Sequence, residues 1–279
     1  MIKLEKVFIS IDMEGISTVV DWAEVDRNNS EYPHTRKIMA QDLNAAIEGA
    51  LEAGAKEIVV SDAHGGMRNL RPEDVHEADY LIRGSPKPNT MMEGISEGDY
   101  NAALYVGYHS MKGTKHGICA HTISGSAVQR IHINGRETGE FGLNSALAGY
   151  YRVPSVFLAG DLAATKEAEA FVPGITTATV KWAYGRYSAK CLPPIKSAQL
   201  IKSKAKEALT KELPAPRIVE PPIEVNIEFT NAVMADVVSL LPSFNRMDGV
   251  TVGGTFYDYQ IAISALRAAI YLASGTIRR

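Results

Sequence analysis

The sequence predicts an α/β protein with a larger three-layer domain on a mostly parallel sheet and a smaller, two-layer α+β domain at the C-terminus. Over the first two thirds of the chain, short apolar runs alternate with amphipathic helical segments, which is typical of a parallel sheet covered by helices. The pattern changes at about residue 190, where prolines and a lysine-rich helix follow. We therefore predict one domain over residues 1–190 and a second over residues 191–279.

Four short apolar runs predict buried strands in the first domain, at residues 7–12, 58–61, 102–107 and 156–160. Residues 35–53 have helical spacing, because Ile38, Leu43, Ile47 and Leu51 fall near one face, and Gly54 ends this helix. Two more helices are predicted at residues 142–151 and 163–171. Residues 128–134 alternate in polarity and are followed by Gly135, so this Asn-Gly pair predicts a β-hairpin.

The C-terminal part begins after the break at Leu192-Pro193-Pro194. Its pattern predicts an amphipathic helix at 195–212, a proline-rich linker at 213–222 and a strand at 223–229. A helix at 232–241, a glycine-rich strand pair near 248–257 and a final helix at 261–273 follow. This order indicates an α+β unit.

The composition excludes several classes of protein. Of the 279 residues, 46% are hydrophobic, which argues against disorder, and 32 acidic residues against 29 basic ones argue against a nucleic-acid partner. The two cysteines, Cys119 and Cys191, provide no disulfide framework and fit a reducing compartment. No signal peptide is visible, and no apolar stretch approaches the roughly 18 residues of a membrane span. We therefore expect a soluble, cytoplasmic protein that does not bind membranes.

Metal-binding residue types follow three of the predicted strands. The first strand ends at Asp12, with Glu14 two residues further on, and the next two are followed by His64 and His109. In an open α/β sheet, ligands bind beyond the carboxyl ends of the strands, so these side chains are expected to meet at one edge. Glu140, just after the predicted hairpin, adds another carboxylate.

This set of carboxylates and imidazoles suits zinc or a similar divalent ion, and Mn²⁺ or Co²⁺ would accept the same ligands. Five ligands exceed the need of one catalytic zinc but suit two metals that share a carboxylate, for which Asp12 at the strand tip is the natural bridge. Such a pair would polarise a carbonyl and lower the pKa of a bound water, so the residues predict a two-metal hydrolase. In the loop that follows, His116 and His121 are both candidates to stabilise an oxyanion or relay a proton.

Other residues have structural interpretations. We expect Asp62 and Asp161 to be helix N-caps, and Cys119 to be a small buried side chain. The lysine-rich run at 196–211 is expected to be a solvated helix face. Three further histidines are expected to be surface or structural residues: His34, His76 and His132.

Longer strings in this sequence resemble the zinc-dependent D-aminopeptidases of the DppA type. The matching strings are SIDMEGIS at 10–17, SDAHGGMRNL at 61–70, GSPKPNTMMEGI at 84–95, GYHS at 107–110, INGRETGEFGLNSALAGYY at 133–151 and LAGDLAATKEAE at 158–169. The resemblance extends in order over essentially the whole chain and is weaker after about residue 195. Residues 18–31 and the loop containing His116 depart from it.

The resemblance implies two zinc ions per subunit and a ring-shaped homodecamer with internal active sites. Asp12 would bridge the metals, Glu14 and His64 would complete one site, and His109 and Glu140 would complete the other. His121 would be a catalytic histidine that is not a ligand.

The expected activity is removal of N-terminal residues from short peptides, including peptides with D-amino acids. Two alternatives stay open: another binuclear metallohydrolase, acting on a phosphoester or a non-peptide amide, and a peptide-binding protein without catalysis. Arg68 and Arg71 follow the His64 loop, but no evident arginine cluster for phosphate is present. A nucleotide-binding module is disfavoured, because no G-x-G-x-x-G motif follows the first strand.

Overall fold

The computed structural model describes residues 4–277 and contains, in that range, twelve strands and seven α-helices. The strands are β1 (Lys6–Ile11), β2 (Glu57–Asp62), β3 (Tyr80–Ile82), β4 (Ala102–Tyr108), β5 (Val128–Ile133), β6 (Arg136–Glu137), β7 (Ser155–Asp161), β8 (Thr176–Gly185), β9 (Ser188–Cys191), β10 (Ile223–Phe229), β11 (Asn245–Arg246) and β12 (Thr251–Phe256). The helices are α1 (Trp22–Val25), α2 (Tyr32–Glu52), α3 (Glu140–Tyr150), α4 (Leu162–Phe171), α5 (Pro194–Thr210), α6 (Ala232–Val238) and α7 (Tyr259–Ser274).

The first sheet has seven strands in the order β3-β2-β1-β4-β7-β8-β9. All neighbouring pairs are parallel except β8 and β9, which form an antiparallel edge. Strands β1, β2 and β4 lie side by side at its centre, so their carboxyl ends share one edge. The predicted class, an α/β fold with a mostly parallel sheet, is confirmed.

Both faces of this sheet are covered. On one face, α2 and α5 pack against each other and against alternate residues of β1, such as Val7, Ile9 and Ile11. On the other face, Phe8 of β1 belongs to a core that includes α3, α4 and the second sheet. These layers explain why the central strands are apolar on both faces. Within residues 4–277, no helix has both the length and the apolar character that a membrane span requires.

The second sheet is antiparallel, with the order β11-β12-β10-β5-β6. Strands β5 and β6 form the predicted hairpin, in which Asn134 and Gly135 have φ values of +48° and +76°. This conformation is why an Asn-Gly pair occupies the turn.

Sheet membership does not follow the predicted border at residue 190. Strands β5 and β6 precede that border but pair with β10, and α5 follows it but packs on α2 and the first sheet. Moreover, one apolar core joins the second sheet to the first. The division into domains 1–190 and 191–279 therefore stays a prediction.

The predicted elements of the first domain are present with ends shifted by a few residues. The sequence patterns missed the short helix α1 and the strands β3, β8 and β9. Strand β8 is a ten-residue strand whose alternation is interrupted by Lys181, a fully buried lysine. A charged side chain in a strand interior breaks the expected pattern, because burial of lysine is rare without partners.

The ends of β1 and β4 approach each other closely. Asp12 N donates to Val106 O (2.9 Å) and Gly15 N donates to Gly107 O (2.8 Å). A Cβ atom at Gly15 would lie 2.0 Å from Tyr108 O, and one at Gly107 would lie 2.2 Å from Asp12 O. Only glycine fits at both positions, so these two residues allow Asp12 and His109 to come together.

Asp42 joins α2 to α5 and to the loop after β1. Its buried carboxylate accepts hydrogen bonds from Ser17 N (3.2 Å) and Ser197 Oγ (3.0 Å). Burial raises the pKa of Asp42 to about 7, although these hydrogen bonds oppose the rise. In the unfolded chain an aspartate titrates at about pH 4. Between about pH 4 and 7 the folded state therefore holds a proton that the unfolded state has lost, and stability falls as the pH rises.

We expect Asp42→Asn to remove this loss. Relative to the wild type, its free energy of unfolding should improve by up to about 1.4 kcal/mol per pH unit between pH 5 and 7, and the gain should level off above pH 7. Urea unfolding of metal-free protein at several pH values measures this. Asp99→Asn, at an exposed position, is the control and should follow the wild type. Parallel curves for Asp42→Asn and the wild type would contradict the prediction.

Candidate active site

Six predicted residues converge at the carboxyl edge of the first sheet. Asp12 directly follows β1, and Glu14 lies two residues further along the same loop. His64 and His109 follow β2 and β4. Two residues come from elsewhere in the chain: Glu140 is the first residue of α3, and His121 lies in the loop between β4 and β5. The three carboxylate residues are only 2 to 4% exposed.

Imidazoles and carboxylates alternate across this cluster. His64 Nδ1 lies 2.9 Å from Glu14 Oε2 and 3.3 Å from Asp12 Oδ1. On the other side, His109 Nε2 lies 3.4 Å from both Asp12 Oδ2 and Glu140 Oε1. The two oxygens of Asp12 therefore face different histidines, which is the arrangement that a bridging carboxylate requires.

Each histidine has one ring nitrogen at a backbone carbonyl. The pairs are His64 Nε2 with Val25 O (3.1 Å), His109 Nδ1 with Ser110 O (3.0 Å) and His121 Nδ1 with Cys119 O (3.0 Å). Because a carbonyl only accepts, the N–H of each ring points to it, and the lone pair of a neutral ring is on the other nitrogen. That nitrogen faces the carboxylates in all three residues.

The electrostatics of the cluster favour cations. Burial raises the pKa of Asp12, but the adjacent imidazoles of His109 and His64 outweigh this effect and hold it below its ordinary value. Burial lowers the pKa of His64 and of His109, but the neighbouring carboxylates hold both well above the ordinary value. Three buried carboxylates thus raise the proton affinity of adjacent imidazoles, and the same negative potential attracts a metal cation.

One direct observation shows that these carboxylates and imidazoles suit a metal ion. His109 Nε2 is buried and has no hydrogen-bond partner among the described residues, although it lies between two carboxylates. A buried polar atom without a partner is costly, and coordination of a cation would satisfy it. Two groups have ligand atoms within 4.8 Å of one another, and His109 belongs to both: Asp12 with Glu14 and His109, and His109 with His121 and Glu140.

His121 is held close to this cluster from both sides of its ring. The ring stacks on His109, with 4.1 Å between centroids, and Trp22 packs edge-on against it at 5.2 Å. His121 Nε2 lies 3.6 Å from Glu140 Oε1, close enough for His121 to be grouped with the possible ligands. Burial and the charge of His109 lower the pKa of His121, which favours the neutral ring. The structure thus brings all six residues together, while their division into ligands and a catalytic histidine stays a prediction.

The remaining candidates have structural positions. Asp161 caps α4 as expected, because its side chain accepts from Ala164 N. The N-cap expectation for Asp62 is wrong: no helix follows it, and its carboxylate accepts from the backbone of Asn69 and Leu70, which secures the His64 loop. His116 is exposed, and Cys119 is buried.

Lys181 supports the site and was missed by the sequence patterns. It is 0% exposed, and its Nζ donates to Glu14 O (2.5 Å), Ile16 O (2.9 Å) and Val19 O (2.6 Å). These bonds satisfy the backbone of the loop that carries Glu14. A lone lysine directly after the largely β-branched run of residues 176–180 was the available signal.

A cavity opens directly on the cluster. Asp12, Glu14, His64, His121 and Glu140 line one part of it. The rest of its wall is mostly apolar and contains Met67, Met91, Ile123, Leu143, Ile263 and Leu266. Metal-type ligands beside an apolar cavity are the features expected of a hydrolase that binds a small organic substrate.

These features define a class, an α/β metallohydrolase-type site, and comparisons with known proteins identify the family. The D-aminopeptidase family model matches residues 5–268. A D-aminopeptidase of Bacillus subtilis (strain 168) is 38% identical over 247 residues, which cover 88% of this chain and 89% of that protein. The solved structure of the Zn-dependent D-aminopeptidase DppA from Bacillus subtilis, a self-compartmentalizing protease, matches with a TM-score of 0.94 at 36% identity. The match covers 98% of this chain and 100% of the DppA chain.

The chain therefore belongs to the D-aminopeptidase family and is a peptidase. The resemblance stated from the sequence strings is confirmed. Family membership favours the peptidase interpretation over the phosphoesterase and the non-catalytic binder.

We expect Lys181→Met to destabilise both the fold and the site. The substitution preserves much of the apolar stem but removes the lysine's hydrogen bonds to three carbonyls and leaves Ile16 O with only its bond from Val19 N (3.3 Å). This loss should cost about 2–4 kcal/mol of unfolding free energy. Because the Glu14 loop loses its support, zinc affinity should fall as well. Urea unfolding and zinc titration measure the two effects. Lys190→Met removes an exposed lysine of neighbouring β9 and is the control. Unchanged stability and zinc affinity in Lys181→Met would contradict the role assigned to this lysine.

Proposed function

We propose that this protein is a zinc-dependent aminopeptidase that removes the N-terminal residue of short peptides, including peptides that begin with a D-amino acid. The observation that carries the proposal is the alternation of Asp12, Glu14 and Glu140 with His64 and His109 beside an apolar cavity. The family membership and the zinc dependence stated for the related DppA structure support it.

The proposed metal ligands are the five residues predicted from the sequence, with two zinc ions per chain. Asp12 would bridge, Glu14 and His64 would complete one site, and His109 and Glu140 would complete the other. Zinc ions at such a site supply Lewis-acid activation of the scissile carbonyl and of water. The carbonyls of Val25 and Ser110 would orient the rings of His64 and His109, as partners of metal-binding histidines commonly do.

The chain's own residues would perform the other parts of the reaction. His121, with its Nδ1–H directed to Cys119 O, has its Nε2 free to exchange a proton. The protonated ring would stabilise the developing oxyanion or deliver a proton to the leaving amine. The apolar wall, which includes Ile123, Leu143 and Leu266, would hold the substrate side chains and exclude water.

We also propose a homo-oligomer and, from the family resemblance, a decamer. The self-compartmentalizing description of the related structure supports an assembly. Large exposed apolar side chains, among them Leu240 at 78% and Tyr257 at 79%, are available for subunit contacts. We also propose a cytoplasmic location, because both cysteines are free, which fits a reducing compartment.

The metal count is predicted to be two zinc ions per chain in the wild type, none bound tightly in Asp12→Asn and one in His64→Gln. Loss of the bridge removes a ligand from both sites, whereas loss of His64 affects one. Elemental analysis of dialysed protein measures the count. His116→Gln, at an exposed position, is the control and should hold two. A wild-type count of one would contradict the two-zinc proposal.

His121→Gln is predicted to retain both zinc ions and to lose at least about 100-fold in kcat, because a proton-transfer group is removed while the ligands remain. Zinc content and peptide hydrolysis are measured on the same preparation. Cys119→Ala, two residues away, should retain activity. A zinc content of one in His121→Gln would instead identify His121 as a ligand.

The activity is tested with dipeptides that begin with D- or L-alanine, with and without chelator. We expect hydrolysis of peptides with a free amino terminus, loss of activity with chelator and recovery with zinc. N-acetylated peptides are the matched control and should not be cleaved. Hydrolysis of phosphoesters without hydrolysis of any peptide would contradict the proposal.

A further inference from the structure

Helix α7 forms one part of the cavity wall, and this part contains one charged residue, Arg267. It is the only charged side chain on this helix, whose neighbouring Ile263 and Leu266 contribute apolar surface to the same cavity. The carboxylate and imidazole cluster lines another part of this cavity. Arg267 is therefore a fixed positive charge at a site whose other charged residues belong to the metal cluster.

The guanidinium is oriented but not neutralised. Its Nη2 donates to Tyr271 Oη (3.0 Å), and its Cζ lies 4.4 Å from the centre of the same ring. Tyr271 Oη lies 3.4 Å from Ser85 Oγ, so this tyrosine of α7 contacts the loop that contains Ser85. Among residues 4–277, no carboxylate forms an ion pair with Arg267, and its buried Nε has no hydrogen-bond partner.

An arginine in this state is suited to bind an anion. Its planar fork matches the two oxygens of a carboxylate, and the bond is strengthened where apolar walls exclude water. A buried donor without a partner carries a cost that such a ligand would relieve. In an aminopeptidase, the substrate's amino terminus and first carbonyl lie at the metal cluster. The group that remains for the other end of a short peptide is its C-terminal carboxylate.

We propose that Arg267 binds the free C-terminal carboxylate of the substrate and so selects short peptides, dipeptides above all, over amidated ones. The inference rests on the proposed aminopeptidase function and deepens it. It assigns substrate selection to α7, on the second sheet's side of the cavity, whereas the hydrolytic residues belong to the first sheet's edge. Ile263 lies one helical turn before Arg267, and Leu266 is the residue directly before it. Both line the cavity and would contact the side chain of the leaving residue.

The test compares D-alanyl-D-alanine with D-alanyl-D-alanine amide as substrates of the zinc-loaded enzyme. The wild type should have at least a tenfold higher kcat/KM for the acid, mostly through KM. Arg267→Gln should lower kcat/KM for the acid by about 10- to 100-fold, the usual range for loss of a charge-assisted hydrogen bond, and change that for the amide less than twofold. Arg267→Lys, which keeps the charge without the fork, should fall between the two.

Arg71→Gln removes an exposed arginine that does not line the cavity and should preserve the preference for the acid. Equal kcat/KM for acid and amide in the wild type, or an equal loss for both in Arg267→Gln, would overturn the inference. If the wild type cleaves no peptide at all, the proposed function fails. The role of Arg267 is then decided by calorimetry, in which the wild type should bind the acid at least tenfold more tightly than the amide and Arg267→Gln should not.

Discussion

Three buried carboxylates, those of Asp12, Glu14 and Glu140, lie together at one edge of a parallel sheet, and the rest of the site serves to stabilise this concentration of negative charge. Without compensation, each buried charge would cost several kcal/mol. Two imidazoles lie between the carboxylates, and a buried nitrogen of His109 points at two of them without a hydrogen bond. Positive charge is therefore required at this position, and the proposed zinc ions would supply it.

The scaffold holds the cluster through backbone contacts. Strands β1 and β4 converge so closely that Gly15 and Gly107 have no room for a Cβ atom, and this approach places Asp12 beside His109. Lys181 reaches from β8 through the core to three carbonyls of the Glu14 loop. The ring orientations of the histidines are held by carbonyl groups in the same way. Side chains that never contact substrate thus define where the reactive groups lie.

Helix α7, which packs on the second sheet, contributes to the cavity wall and provides none of the proposed metal ligands. Hairpin β5–β6 crosses from the middle of the chain to pair with β10, so the two sheets share one core and α7 can pack over the site. In this arrangement most of the proposed metal ligands follow the ends of strands, while Arg267 and part of the apolar wall, Ile263 and Leu266, come from α7 near the C-terminus. Selection of substrate and hydrolysis are consequently assigned to different parts of one cavity.

The sequence by itself determined the features that depend on local pattern. Apolar runs ended by Asp12, His64 and His109 predicted parallel strands whose carboxyl ends meet, and an Asn-Gly pair predicted the hairpin, since both depend on neighbouring residues only. Tertiary structure decided what depends on distant ones: the sheet to which residues 128–137 belong, the partners of Lys181, which lie more than 160 residues away, and the structural use of Asp62. Arg267 belongs to this second group, because a lone arginine on an apolar helix becomes informative only when packing places it in the same cavity as the carboxylates. Hydrophobic periodicity sets which face of an element is buried, but which elements meet there is set by the packing of the whole chain.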